Sequence, residues 1–108
     1  MEEKEIRKVI SNLSDYPMIL FELHKEKNAI EYEQKIDNNK LVNIIKDKEC
    51  LGSFIENRDT GIVIYNFYKG FNYVYFITIA DTYSDNYSTL SIYNINEFSK
   101  IIKGSLGY

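Results

Sequence analysis

The stretch from Gly61 to Tyr93 constrains the fold most, because it is nearly free of charge and rich in aromatic and β-branched residues. Its only charged residues are Lys69, Asp81 and Asp85. Aromatic and β-branched side chains suit the pleated, half-buried surface of a sheet. The stretch therefore predicts the centre of a β-sheet. Its many tyrosines, each an apolar ring with a polar tip, also favour a recognition surface.

Periodicity in the N-terminal half predicts two helices around a hairpin. Apolar residues at helical spacing indicate a helix over residues 2–13. Residues 17–24 and 29–36 alternate in a way that favours two strands joined as a β-hairpin. Asp37 and the two asparagines after it are good N-cap residues, so a second helix is expected to run to about Lys48.

The C-terminal half reads as four strands and a closing helix. The strands are expected at about 50–56, 62–68, 73–80 and 87–93, and Asn94 is expected to cap the last helix. The predicted order is αββαββββα. This favours a single α+β domain over residues 1–108, with a mostly antiparallel sheet of five or six strands and helices packed mainly on one face. If the last four strands form a meander, the turns at 57–61 and 81–86 lie at the same end of the sheet.

Composition excludes several classes of protein. A net charge of −3 argues against a general nucleic-acid clamp, which needs a basic stripe. No apolar run approaches the roughly 20 residues of a membrane span, and the charged N-terminus does not look like a secretory signal. We therefore expect a cytoplasmic protein with no membrane association. One cysteine and one histidine cannot form a structural zinc site, and we expect no metal and no cofactor.

Two residue groups could indicate catalysis, and neither is convincing. Asp59-Thr60-Gly61 is the triplet found in aspartic proteases, which need two aspartates sharing a proton. The same three residues are also common in hairpin turns. Cys50 and His24 could pair as nucleophile and base, but no glycine-rich oxyanion loop accompanies them. The sequence predicts a protein without enzymatic activity or catalytic residues.

The best candidate site combines acidic and tyrosine residues near the predicted 81–86 loop. Tyrosine gives contact area at low entropic cost, and small polar residues adapt their hydrogen bonds, as in antibody binding loops. If the apolar side of the last strand faces the helices, its Tyr/Thr/Ser side is left outside, unless a second layer covers it. The predicted partner-binding residues are Asp59, Asp81, Tyr83, Asp85, Tyr87 and Tyr93.

These features favour a small acidic inhibitor that binds a protein with a basic surface, such as the channel of a nuclease. Phage anti-defence proteins, including anti-CRISPR proteins, and toxin-immunity proteins are similar in general character: short, acidic, aromatic and free of motifs. An abundance of Ile, Lys, Asn and Tyr suggests an AT-rich bacterial or phage genome. Two alternatives stay open: a nucleotide or small-molecule binder that stacks its ligand on tyrosines in a sheet cleft, and a cryptic hydrolase at Asp59. The sequence leaves the oligomeric state open, and a homodimer is compatible with it.

Overall fold

The computed structural model describes residues 3–25, 29–59, 61–80 and 87–107, with only the backbone of Tyr87. Within these ranges four helices and five strands follow in chain order, with a short 3-10 turn at Leu13–Asp15 between the first two helices. They are α1 (Glu3–Ser11), α2 (Pro17–Leu23), β1 (Glu31–Asp37), α3 (Asn38–Ile45), β2 (Glu49–Arg58), β3 (Gly61–Lys69), β4 (Tyr73–Ala80), β5 (Tyr87–Asn94) and α4 (Ile95–Leu106). Among these residues no helix combines the length and apolar character needed to cross a membrane.

The five strands form one antiparallel sheet in the order β1-β5-β4-β3-β2. The α+β class and the antiparallel sheet are confirmed. The last four strands form the predicted meander, since each pairs with the next along the chain. The predicted hairpin between residues 17–24 and 29–36 is wrong. Instead β1 pairs with β5 at the far edge, with Asp37 opposite Tyr87.

Residues 17–24 form helix α2 and its C-cap, where the sequence predicted a strand. The segment is apolar at nearly every position, so alternation alone could not separate a buried strand from a short helix. In the structure Ile19 and Leu23, four residues apart, are fully buried, while Met18 and Phe21 are exposed. Pro17 occupies the first helical turn, where its missing N–H costs nothing.

The sheet buries apolar side chains on both faces. Helices α1, α2 and α4 cover one face and build the larger core, and we call this the helical face. Helix α3 packs on the opposite face over a smaller core of Leu41, Ile77 and Leu90. Strand β4 serves both cores, because Val74 and Phe76 point to one and Ile77 to the other. Helices therefore lie mainly, but not solely, on one face.

Strand β2 carries a β-bulge that lets α1 approach closely. The register shifts between Cys50 and Gly52, and Gly52 has a φ of 150°. A Cβ atom at this position would lie 2.9 Å from Cγ2 of Ile10 in α1. Glycine is therefore required here both by the backbone and by the close helix.

Side-chain caps fix the starts of α3 and α4. Asp37 accepts a hydrogen bond from the backbone N–H of Asn39, and Asn94 accepts one from Asn96, each at 2.8 Å. The predicted cap at Asn94 is therefore confirmed. The helix after it ends at Gly107, which adopts the left-handed conformation that glycine favours at a helix C-terminus.

Candidate functional site

One end of the sheet gathers the features that the sequence associated with binding. Strand β2 turns into β3 there, with Arg58 opposite Gly61, and Val63 pairs with Ala80 at the end of β4. We call this the hairpin end. Asp59 lies in the β2–β3 turn and is exposed. The strand pairing thus places the β2–β3 turn, the end of β4 and the start of β5 at the same end of the sheet, as the predicted meander requires.

Three of the predicted binding residues, Asp81, Tyr83 and Asp85, lie outside the described residues. The segment that holds them leaves the sheet at Ala80 and returns at Tyr87, both at the hairpin end. The backbone of Tyr87 begins β5 and pairs with Asp37. Its side chain is likewise outside the described part.

Tyr93 is not at the surface, which corrects its prediction as a binding residue. Its ring is fully buried in the larger core, and its hydroxyl donates a hydrogen bond to the backbone carbonyl of Leu23 at the end of α2. Burial strongly raises the pKa of the Tyr93 phenol. Ser91, two residues earlier, is also buried. Ser91 and Tyr93 thus lie on the helical face of β5. Helix α2 is the second layer that covers Tyr93 there.

On the helical face, the hairpin end carries a charged group around a tyrosine. Arg58 bonds through Nε to Oε1 of Glu56 and donates from Nη2 to the hydroxyl of Tyr65 at 2.8 Å. The hydrogen bond with Glu56 raises the pKa of Arg58, and burial raises the pKa of Tyr65. Because Glu56 neutralises Arg58, the exposed charge of the described turn comes from Asp59.

His24 and Glu33 form a second polar pair beside this group. Nδ1 of His24 lies 3.2 Å from Oε1 of Glu33, and its ring lies against Tyr65 and Phe76. Glu33 has a φ of 42° at an irregularity of β1, and its N–H donates to Ser91 Oγ. The pair holds the chain after α2 against the sheet, which is a structural role.

The structure does not bring His24 to Cys50. Cys50 lies opposite Tyr68 near the other end of β2, whereas His24 contacts rings on the helical face. Within the described residues no group of three His, Cys, Asp or Glu side chains could hold a metal ion.

The face opposite the helical face carries an exposed apolar surface that the sequence analysis did not predict. Ile55, Ile64 and Ile79 lie side by side on β2, β3 and β4, in register across the sheet. Ile62 is next to them on β3. We call these four residues the isoleucine patch. Ile55, Ile62 and Ile79 expose 58%, 42% and 37% of their surface, and Ile64 is half-buried.

Helix α3 covers only part of this face. Its eight residues span about 12 Å, whereas five strands at about 4.8 Å spacing are about 19 Å wide. The cluster that α3 builds takes side chains from β1, β5 and β4 and Tyr68 from β3, and the four patch residues do not belong to it. A continuous apolar run such as residues 62–65 indicates that both faces of the strand are apolar. Only the length and placement of the helices decide which part of each face is covered.

Comparison with known proteins adds no likeness from which a function could be transferred. No protein-family model, curated protein or solved structure matches the chain significantly. What the chain does must be inferred from the hairpin end and from the surfaces beside it.

Proposed function

We propose that this chain is a non-catalytic inhibitor that binds a protein partner through the hairpin end. The observation that carries the proposal is the position of the exposed Asp59 turn beside the two points where the segment 81–86 leaves and re-enters the sheet. That segment holds two further aspartates and Tyr83. Acidic and tyrosine side chains on one end of a rigid sheet suit docking against a basic surface.

Electrostatics support a cationic partner. The chain has a net charge of −3, and Arg58, the cation next to the β2–β3 turn, is paired with Glu56. Negative potential at this end speeds encounter with a basic surface and disfavours nucleic acid. The substrate channel of a nuclease is a basic surface of this kind. The proposal is therefore a cytoplasmic inhibitor of phage anti-defence or toxin-immunity type.

The two alternatives have weaker support in the described residues. A nucleotide binder needs accessible rings that converge on a cleft, but Tyr65 and Tyr93 are buried, and Tyr65 stacks on Phe76 inside the core. The exposed rings of Phe71 and Tyr73 lie at the end of the sheet opposite the hairpin end. An aspartic hydrolase would need a second aspartate beside Asp59. Neither alternative is favoured by a specific contact.

The test begins with the partner, captured on the immobilised chain from a low-GC bacterial lysate and identified. Association and dissociation rates are then measured at two salt concentrations. Asp81→Asn combined with Asp85→Asn should slow association and reduce its salt dependence, because charges at the rim act mainly on encounter. Tyr83→Ala or Tyr87→Ala should speed dissociation and cost about 2 kcal/mol or more at a binding hot spot.

The matched control removes two negative charges at the other end of the sheet. Asp47 follows α3, and Glu97 lies in the first turn of α4, whose backbone bonds to the β3–β4 turn at Asn72. Asp47→Asn with Glu97→Gln should leave the association rate nearly unchanged. Unchanged affinity in all of the loop variants would place the binding site elsewhere on the chain.

A further inference from the structure

We propose that the free edge of β2 takes up an extended segment of the partner protein as an added strand of the sheet. The inference rests on the proposed function, because it names how a partner that docks at the hairpin end is held. Strand β2 lies at the end of the strand order, so one of its long sides is unpaired in the described sheet. Its last residue, Arg58, leads directly into the exposed Asp59 turn. The edge and the proposed docking end are therefore continuous.

One part of this edge presents free backbone groups. Arg58 and Gly61 close a two-residue connection, so they form a pair that exchanges both backbone hydrogen bonds. The pairing with β3 continues from there to Ser53 without a register shift, and alternate residues bond to the same neighbouring strand. The N–H and C=O groups of Ser53, Ile55 and Asn57 therefore point away from β3. Within the described residues, none of their N–H groups donates to a turn or loop.

The beginning of the same edge is occupied by α1. Arg7 of α1 donates from Nη1 to the carbonyl of Cys50 at 2.7 Å and from Nη2 to the carboxylate of Glu49 at 2.6 Å. The β-bulge before Gly52 then interrupts the register. The free part of the edge is thus residues 53–57, which span about 17 Å. A short extended segment of about five residues matches this length.

The opposite edge of the sheet is blocked by its own irregularity. The register of β1 with β5 shifts between Glu31 and Gln34, and Glu33 has a φ of 42°. The N–H of Glu33 is already bonded to Ser91 Oγ. Irregular backbone and charged side chains are common means of preventing further pairing at an edge. In β2 the register is regular over residues 53–57, and the residues with outward backbone groups are uncharged.

The chemistry of the free edge selects an extended polypeptide. Alternating N–H and C=O groups at strand spacing are matched by another extended backbone, as in domains that bind peptides by strand addition. Side chains of the added segment alternate between the two faces of the sheet. A side chain beside the exposed Ile55 meets the isoleucine patch and is expected to be apolar, and one beside Asp59 is expected to be basic. The ligand is therefore an extended segment with a β-branched centre and a cationic end.

A second copy of this chain fits the edge poorly. Antiparallel pairing of two β2 strands through all of the free residues is centred on Ile55, and it sets Arg58 of one chain opposite Gly52 of the other. Ile10 of α1 fills the space above Gly52, since a Cβ there would lie 2.9 Å from Cγ2 of Ile10. Arg58 turns to the same face, where it bonds to Tyr65. Its side chain would therefore collide with α1 of the second copy.

The first test uses a synthetic peptide as the probe, acetyl-Lys-Thr-Val-Thr-Lys-amide. Its sequence is the same from both ends, so either orientation can offer valine to Ile55 and lysine to Asp59. Titration into the isotopically labelled full chain should shift the amide resonances of Ser53, Ile55 and Asn57. We expect a Kd of about millimolar order, because a short segment loses much of its binding energy to ordering. The same peptide N-methylated at its three central residues should bind at least about tenfold more weakly. No shift at these amides at about 10 mM peptide, well above that Kd, overturns the proposal.

Ile55→Pro separates backbone pairing from side-chain contact. Proline is tolerated on an edge strand where the N–H faces outward, so the variant should fold but lack the central donor. It should bind the peptide at least about tenfold more weakly, whereas Ile55→Val, which keeps the N–H and the branched side chain, should bind within about threefold of the wild-type chain. Circular dichroism and a urea midpoint check the fold, and Ser53→Pro replaces Ile55→Pro if that variant is unfolded. Equal binding by the folded proline variant and the wild-type chain contradicts the assignment.

Hydrogen exchange in the complex with the captured partner separates this inference from the proposed function. Amides of Ser53, Ile55 and Asn57 should exchange rapidly in the free chain and at least about tenfold more slowly in the complex. If their exchange is not slowed while Asp81→Asn with Asp85→Asn slows association, docking at the hairpin end stands and the added strand is overturned. If their exchange is slowed while those loop variants keep full affinity, the added strand stands and the role of the acidic charges is contradicted.

Discussion

At the scale of single residues, Tyr93 joins the last strand to the second helix. Its ring is buried in the larger core, and its hydroxyl bonds to the carbonyl of Leu23, one of the backbone acceptors that a helix leaves open at its C-terminus. Tyr65 is the second buried phenol, and Arg58 supports it from the surface. Both rings therefore stabilise the fold, although the tyrosines of the charge-poor stretch from Gly61 to Tyr93 favoured a binding surface.

Burial of these phenols predicts a loss of stability in alkali. The pKa of Tyr93 and that of Tyr65 are raised in the folded state, so the unfolded chain releases these protons first as pH rises. Their contribution is complete below the ordinary tyrosine pKa of about 10 and is lost as pH rises above that value toward the folded-state pKa.

Tyr93→Phe should therefore have opposite consequences at neutral and at high pH. Near pH 7 it should lower the free energy of unfolding by about 1 kcal/mol, because the Leu23 carbonyl loses its hydrogen bond. Above about pH 10 its stability should fall less steeply than that of the wild-type chain. Urea unfolding across this pH range measures both effects, with Tyr73→Phe at an exposed ring as the control at neutral pH. Equal alkaline losses in the variant and the wild-type chain would show that Tyr93 is not the group that titrates.

At the scale of elements, close approach of α1 to β2 depends on a single glycine. The β-bulge places Gly52 directly against Ile10 of α1, which is fully buried. Helix α4 contains another glycine, Gly104, that meets nothing within 4 Å of an added Cβ. The two positions therefore separate a glycine that the fold requires from one that it tolerates.

Substituting these glycines should change stability in opposite directions. Gly52→Ala should cost about 1–3 kcal/mol, because alanine is strained at positive φ and its Cβ would collide with Ile10. Gly104→Ala should add about 0.5–1 kcal/mol, since alanine loses less conformational entropy in a helix. Urea midpoints at neutral pH measure both changes. A neutral Gly52→Ala variant would mean that α1 shifts away from the sheet without cost.

At the scale of the whole molecule, coverage of the sheet is uneven. Strand β4 is paired on both sides and contributes buried side chains to both cores, whereas β1 is an edge strand with an irregular register. The isoleucine patch lies where coverage stops. Stability should therefore decrease from β4 toward the β1 edge.

Amide hydrogen exchange followed by NMR should reveal this gradient. Amides of Phe76 and Ile77 should exchange slowest, near the rate set by global unfolding, because their hydrogen bonds open only when both cores separate. Amides of β1 should exchange faster through local opening at the edge. Equal protection in β1 and β4 would contradict the proposed gradient.

The sequence by itself determined the antiparallel meander, the caps at Asp37 and Asn94, and the apolar stripe of α1, because these follow from local periodicity and local hydrogen bonds. It predicted the shared end of the two connections, and so the neighbourhood of Asp59. Only the tertiary structure decided that residues 17–24 form a helix, that Tyr93 is buried beneath it, and that the isoleucine patch stays open. The physical reason is that a segment apolar on every side is compatible with either secondary structure and with either exposure. What covers it is settled by the length and placement of elements distant in the chain.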